Sequence, residues 1–263
     1  GCMTQNAASH QLTIWLTGAT SGIGLAVLQE LVARGHQVIA TGRNKDRLEE
    51  LKASLGDSVI PLPGDVTDPE DCARFREQLS AMAPLDWAVL NAGTCEYMDV
   101  SRFDAELVSR VVNTNVVGTA RSVEAVLPAL RASGSQNRRP LVAIVSSSAW
   151  WFPFTRAEAY GASKAAVTYF AESLRADLAA EGIDVSVVSP GFVKTPLTDQ
   201  NDFAMPFLMD ASDAARIMVR DLEKHHRHSH FPKRFTYSLK LLACLPRMIR
   251  DRMAAAMARN NTD

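Results

Sequence analysis

Thr17-Gly18-Ala19-Thr20-Ser21-Gly22-Ile23-Gly24 closes an apolar run of strand length and opens a segment of helical period, and its reading decides the fold. A glycine turn between a buried strand and a helix lets the backbone approach a ligand. It also aims main-chain N–H groups and the positive end of the helix at an anion such as a pyrophosphate. The spacing is Gly-x-x-x-Gly-x-Gly rather than Gly-x-Gly-x-x-Gly, and such turns also serve packing alone, so its weight comes from its company. Outward from it, apolar runs at residues 12–17, 37–41, 58–62, 87–91, 141–147 and 184–189 alternate with helix-period segments. Short Val/Ile/Leu-rich runs separated by helices predict an α/β fold, a doubly wound parallel sheet whose strands are buried on both faces.

Composition bounds the reading. The chain has 263 residues, 47% hydrophobic and 22% charged, with a formal net charge of -1, as an ordinary globular protein does. That balance calls for no nucleic-acid partner. Cys2, Cys72, Cys95 and Cys244 stand far apart, against a zinc site or a disulfide framework and for reduced thiols. No secretory signal is visible and no run reaches the ~18 apolar residues that span a bilayer, so a cytoplasmic location is expected.

The chemistry is written in Tyr160-Gly161-Ala162-Ser163-Lys164. Residues four apart share a helix face, so the Lys164 ammonium can favour ionisation of the Tyr160 phenol. A group that ordinarily titrates near pH ~10 then becomes a usable acid or base. With the glycine turn, the pair points to hydride transfer from a nicotinamide cofactor. The second strand ends in Thr41-Gly42-Arg43-Asn44, with no acid to bind a ribose 2′-hydroxyl. Gly42 leaves room and Arg43 can neutralise a 2′-phosphate, which favours NADP over NAD; the plainer alternative is a solvated arginine that opens a helix.

These motifs, in this order, resemble the short-chain dehydrogenase/reductase family over about residues 12–197. Besides the glycine turn, the family's pattern is met by Asp65-Val66, Asn91-Ala92-Gly93, Asn115, Ser147, Tyr160, Lys164 and Pro190-Gly191-Phe192-Val193-Lys194-Thr195. The resemblance implies a single Rossmann-like domain with its core over about 12–230, and a helical, apolar and basic extension over about 231–259. It makes Tyr160 the proton donor or acceptor at the substrate oxygen, with Ser147 bound to that oxygen. Lys164 would hold the nicotinamide ribose and lower the Tyr160 pKa, and Asn115 would hold a water that links Lys164 to solvent. Cofactor contacts are implied for Gly18, Thr20, Ser21, Gly22, Ile23 and Gly24, for Arg43 and Asn44, and for Asp65, Val66, Asn91, Ala92 and Gly93. Tyr160, Lys164, Pro190, Gly191, Val193 and Thr195 complete that set. Ser146 and Ser148 should face away from Ser147 by strand alternation.

Trp150-Trp151-Phe152-Pro153-Phe154 points either to an apolar or ring-bearing substrate or to core packing, and Cys95, Tyr97 and Met98 to the same mouth. The apolar residues between Pro196 and Ala211 read as a lid, and a helix is expected from Asp213 to Lys224. His225, His226, His228 and His230 read as a solvated basic turn rather than a metal site. The tail fits packing over the mouth or against another subunit better than contact with a membrane. The whole predicts an NADP-dependent reductase or dehydrogenase of hydrophobic ketones, aldehydes and alcohols, without a metal, as a homodimer or homotetramer. The alternative is an NADP-binding regulator without turnover, against which the full set of Asn115, Ser147, Tyr160 and Lys164 speaks.

Overall fold

The structure, a computed structural model, describes residues 10–134, 139–196, 198 and 203–260. Strands β1 (Thr13–Thr17), β2 (Gln37–Thr41) and β3 (Val59–Pro61) alternate with helices α1 (Gly22–Ala33), α2 (Lys45–Leu55) and α3 (Pro69–Ala81). The chain continues through β4 (Trp87–Leu90), α4 (Ala105–Val112), α5 (Gly118–Gly134), β5 (Leu141–Val145), α6 (Glu158–Leu178) and β6 (Asp184–Pro190). Two short strands, β7 (Val193–Lys194) and β8 (Met209–Asp210), pair with each other, and α7 (Ala211–Glu223), β9 (His228–Phe231), α8 (Lys233–Ala243) and α9 (Arg247–Asn260) complete the elements.

The seven-stranded sheet runs β3-β2-β1-β4-β5-β6-β9, every pair parallel. Alternation along the strands sends Ile14, Leu16, Val38 and Val89 to one face, against Leu28 and Leu31 of α1 and Met218 and Leu222 of α7. Trp15, Ile39, Ala88 and Val142 take the other face, against Phe75 and Leu79 of α3 and Val126 and Leu130 of α5. Both faces are therefore dry, which is why the strands read as continuous apolar runs. Strand order reverses between β1 and β4, so the helices after these strands leave on opposite faces and open a crevice at the carboxyl ends. Asp68 caps α3, accepting from Glu70 N at 2.9 Å with Pro69 behind it, as its sequence predicts.

Two expectations change. The histidine run is a turn only in its first half: His225 lies in a turn and His226 is exposed beside it, whereas His228–Phe231 forms β9, with Val187 opposite His228 and Pro190 opposite Phe231. Apolar alternation is missing there because polar partners do the anchoring. Ser229 Oγ donates to Asp221 Oδ2 at 2.7 Å, while His228 Nε2 lies 2.9 Å from Ser189 Oγ and His230 Nδ1 lies 2.6 Å from Thr236 Oγ1. The polar stretch from Ser133 to Pro140 reads as a surface loop, whereas Ser133 is buried at the end of α5, where its hydroxyl accepts from Leu85 N at 2.6 Å; residues 135–138 of that stretch lie outside the described ones.

The tail packs. Phe235 and Leu239 of α8 join Trp151 and Phe152 in a satellite core, with Phe192, Leu242, Met253 and Met257 against it. Of the proposed lid, Leu197 and residues 199–202 lie outside the described residues, while Met209–Asp210 are fixed against Val193–Lys194. The helix expected from Asp213 begins at Ala211 and ends at Glu223. No helix among the described residues is long and apolar enough to cross a membrane.

Burial pushes the imidazoles of both His228 and His230 down to about 4; Lys233 and Lys240 add to both, His230 and Arg175 add at His228, and Asp221 opposes at His230. A histidine whose folded pKa lies below its ordinary 6.5 binds a proton more tightly when unfolded. Stability from this pair is therefore complete above about pH 6.5 and lost as the pH falls toward about 4. Thermal melts across that range should show a falling midpoint, and His228→Gln with His230→Gln should flatten the dependence. A parent midpoint that does not move would contradict the burial of neutral imidazoles.

Candidate active site

The crevice begins at the glycine turn. Gly18 and Gly22 hold φ at 65° and 59°, a left-handed backbone that glycine adopts without penalty. At Gly24 a Cβ would stand 1.8 Å from Gly18 O and 2.5 Å from Asn91 Nδ2, so the first turn of α1 sits directly on the turn it follows. Thr17 Oγ1 accepts from both Asn91 N and Ala92 N at 3.0 Å, and Asn91 Nδ2 donates to Gly18 O at 3.2 Å. The ends of β1 and β4 are thereby fixed as one unit.

A cleft of about 370 Å³ runs from this unit to the end of β2, lined by Gly18, Thr20, Ser21, Gly42, Arg43, Asp65, Val66, Ala92 and Gly93. A Cβ on Gly42 would lie 2.7 Å from the Thr20 methyl, so the glycine keeps this wall open. Arg43 is exposed on the rim. Asn44, expected beside it at the cofactor, spends its side chain on Arg47 N at 3.0 Å as the cap of α2. Asp65 binds Thr67 through N and Oγ1 at 2.9 and 2.8 Å, and its own N–H donates to Asp71. Thr195 meets the cleft from the other side, its methyl 3.8 Å from where a Cβ on Gly22 would be. Gly191 does not face the cleft in this way: its N–H donates to Phe231 O at 2.7 Å and its Cα backs onto Phe235. Pro190 ends β6 beside Phe231, and Val193 is buried in β7.

Tyr160 and Lys164 sit one turn apart on α6, the ammonium 5.6 Å from the phenol ring centroid. Ser147, extended just after β5, accepts from Ala149 N at 3.1 Å and lies near enough to the phenol to favour its ionised form. Ser146 turns away as alternation requires, binding Lys164 O at 3.0 Å and Thr168 at 2.8 Å within the core. Lys164 Nζ donates to Val145 O at 3.1 Å and lies 3.6 Å from where a Cβ on Gly93 would stand. Asn115 stands in a π-helical turn, Asn113–Val117, between α4 and α5. Its amide donates to Thr94 O at 2.9 Å and Ser163 Oγ at 3.0 Å and accepts from Thr94 N at 2.8 Å. The amide is thus spent on joining the loop after β4 to α6, and the main-chain carbonyl of Asn115 already accepts from Thr119 Oγ1 at 2.7 Å.

Electrostatically, burial dominates the pair. It pushes the Tyr160 phenol up to about 12, with Cys95 adding to the rise and Ser147 opposing it, and it brings Lys164 down to about 8. The lowering of Tyr160 expected from Lys164 is outweighed in the protein alone, because a phenolate loses more by leaving water than a cation beyond the ring returns.

Residues 12–204 match the family model described as short chain dehydrogenase. This chain belongs to the short-chain dehydrogenase family. Among curated relatives, an oxidoreductase of Myxococcus xanthus is 35% identical over 246 residues, 92% of this chain and 96% of that one. The NADP-dependent 3-hydroxy acid dehydrogenase of Escherichia coli is 33% identical over 69% of this chain and 73% of its own. A short-chain dehydrogenase of Burkholderia cenocepacia, solved in complex with NADP, superposes with a TM-score of 0.80 at 25% identity, covering 92% of this chain and 97% of that one. The chain is accordingly an oxidoreductase with a Rossmann-like fold.

The sequence motifs give no role to Thr17, whose hydroxyl joins two strands of the dehydrogenase, or to Thr94 and Ser163, which hold Asn115. Thr17 ends a buried strand directly before the glycine, the one signal that could have marked it. Among the described residues no cluster of histidine, cysteine and carboxylate groups is placed to hold a metal ion, and Cys72, Cys95 and Cys244 are free thiols. Gly24→Ala should destabilise the fold by about 3 kcal/mol or more, the upper end of overpacking costs, because backbone rather than a flexible side chain opposes the methyl. Urea midpoints of parent and variant measure it, and a difference under about 1 kcal/mol would show that the turn can retreat.

Proposed function

We propose that this short-chain dehydrogenase is NADP-dependent and interconverts a hydrophobic ketone or aldehyde and its alcohol, with Tyr160 as proton donor or acceptor. The observation that carries the reading is the Tyr160 phenol, half-buried at the carboxyl-end crevice, close enough to Ser147 to feel its hydroxyl and one turn from Lys164. The glycine cradle, in which no Cβ fits at Gly24, and the basic rim at Arg43 suit a dinucleotide with a 2′-phosphate. Relatives named for NADP and a neighbour solved with it support that choice.

When bound, NADP supplies or takes up the hydride. The chain's own part is protonic and positional. Gly18, Ser21 and Gly22 would cradle the pyrophosphate and Arg43 the 2′-phosphate, while Asp65 and Val66 would flank the adenine. Ser147 would fix the substrate oxygen against the Tyr160 hydroxyl. A phenol held at about 12 stays protonated at neutral pH and can donate as an alkoxide develops at that oxygen. Lys164, brought to about 8, remains mostly cationic there and would hold the ribose hydroxyls and answer the negative charge on Tyr160 in the transition state. Asn115 is a positioning residue in this scheme, since its contacts hold the loop of Gly93 against α6.

Apolar walls support an apolar substrate. Tyr97 meets Phe203 at 5.3 Å between centroids and Phe203 meets Phe192 at 6.2 Å. A homodimer or homotetramer through the helices that carry Asn115 and Tyr160 is part of the proposal. Tyr169 on α6 is 78% exposed and Phe103 before α4 is 61% exposed, apolar surface that a second copy would cover.

Tyr160→Phe should lower kcat by about two orders of magnitude or more while leaving NADPH affinity nearly unchanged, measured by NADPH oxidation against a panel of ketones and aldehydes. Turnover within a few-fold of the parent would remove Tyr160 from the reaction. Fluorescence titration should give NADPH a lower Kd than NADH by about tenfold or more, the scale of one charge-assisted phosphate contact, and Arg43→Ala should erase the difference. Equal affinities in the parent would place Arg43 in solvent.

A further inference from the structure

Resting on the carbonyl-reductase reading above, the mouth of the site holds one cation to which that reading gives no work. Arg156 lies four residues before Tyr160, in the loop that leads into α6, and holds φ at 66°. An arginine in the left-handed region is strained where a glycine would not be, and such outliers persist where the surroundings or the function demand the side chain. The backbone here is pinned, since Met98 N donates to Arg156 O at 2.8 Å.

The guanidinium lies over the Tyr97 ring, 5.6 Å from its centroid, and is exposed. It makes no ion pair or hydrogen bond with another described residue. Asp99 feels its charge, yet the Asp99 carboxylate is engaged through Oδ1 with Ser101 N and Oγ at 3.0 and 2.6 Å. Beneath the guanidinium, Tyr97 is a near neighbour of the Cys95 thiol, and Cys95 in turn is close enough to act electrostatically on both Tyr160 and Lys164. The cation therefore stands over a short series of neighbouring side chains that leads to the Tyr160 phenol. Among the described residues nothing accepts from its N–H donors, and the wall beside it is the apolar series Tyr97, Phe203, Phe192 and Phe235.

We propose that Arg156 is a substrate-binding residue and selects carbonyl compounds or alcohols that carry a carboxylate on an otherwise apolar body. A planar guanidinium with one face on a ring offers its donors in the geometry that a carboxylate accepts. The carboxylate is held at the mouth, over Tyr97, while the carbonyl reaches Ser147 and Tyr160. Specificity of this kind acts on binding: the interaction is made equally in ground and transition states, so it enters KM rather than kcat.

The test uses benzoylpropionate and its methyl ester, a ring-bearing ketone with and without the negative charge, as NADPH-dependent substrates of the whole protein. The parent should favour the acid over the ester in kcat/KM by about tenfold or more. Arg156→Gly, which suits the left-handed backbone and so keeps the fold, should raise KM for the acid by about the same factor. KM for the ester and both kcat values should stay within about twofold, and Arg156→Lys should restore part of the preference. Equal use of acid and ester by the parent, or equal loss of both in Arg156→Gly, overturns the proposal and leaves the reductase reading intact. If neither compound is reduced, quenching of tryptophan fluorescence in the presence of NADPH decides: tighter binding of the acid than the ester, lost in Arg156→Gly, sustains the assignment, and equal binding overturns it.

Discussion

The carbonyl of Gly18 fills the space where any side chain on Gly24 would begin. Everything at the crevice depends on that contact. Because α1 starts in touch with the end of β1, the chain must turn within four residues, and two left-handed glycines make the turn possible. Asn91 and Thr17 then tie the turn to the end of β4, the strand across the switch point. The cradle and the loop that carries Gly93 are consequently one rigid body, and Asn115 extends that body to α6. Preorganisation of the site is thus a property of backbone contacts, with side-chain amides and hydroxyls as rivets.

A second constraint is the burial of Tyr160 and Lys164. Each is held where its charged form is disfavoured, the phenol up at about 12 and the ammonium down at about 8. The two values move apart, so near neutral pH the phenol keeps its proton as a donor while the ammonium is held closer to its neutral form. Cys95 shares the pocket and is itself pushed toward its neutral form by burial. The site is accordingly close to uncharged apart from Lys164, a low-dielectric setting in which one cation exerts a long reach.

Most of the fold was legible because its strands are buried on both faces. Six apolar runs are found as strands within one to two residues of their expected ends, and the motifs of glycine, tyrosine and lysine fall at the carboxyl edge where such sheets bind ligands. Illegible parts share a physical cause. His228–Phe231 is held in the sheet by polar anchors, Asp221, Ser189 and Thr236, and no periodicity of hydrophobicity records a hydrogen bond. Trp150 to Phe154 left two readings open, and the deciding partners, Phe235 and Leu239, lie more than eighty residues away in sequence. The resemblance implies a cofactor contact for Asn44, whereas its short side chain is satisfied locally as a helix cap.

The parallel pairing of β6 with β9 carries a consequence for biosynthesis. An emerging chain can complete six strands once residue 190 has left the ribosome, but the partner of β6 is some forty residues further on. Until then β6 presents an unpaired edge, and Trp151 and Phe152 lack the helix that covers them. The last quarter of the chain therefore acts as the fold's own chaperone: its arrival seals a strand edge and an aromatic surface together, at a stage when the nucleotide cradle already has all of its residues.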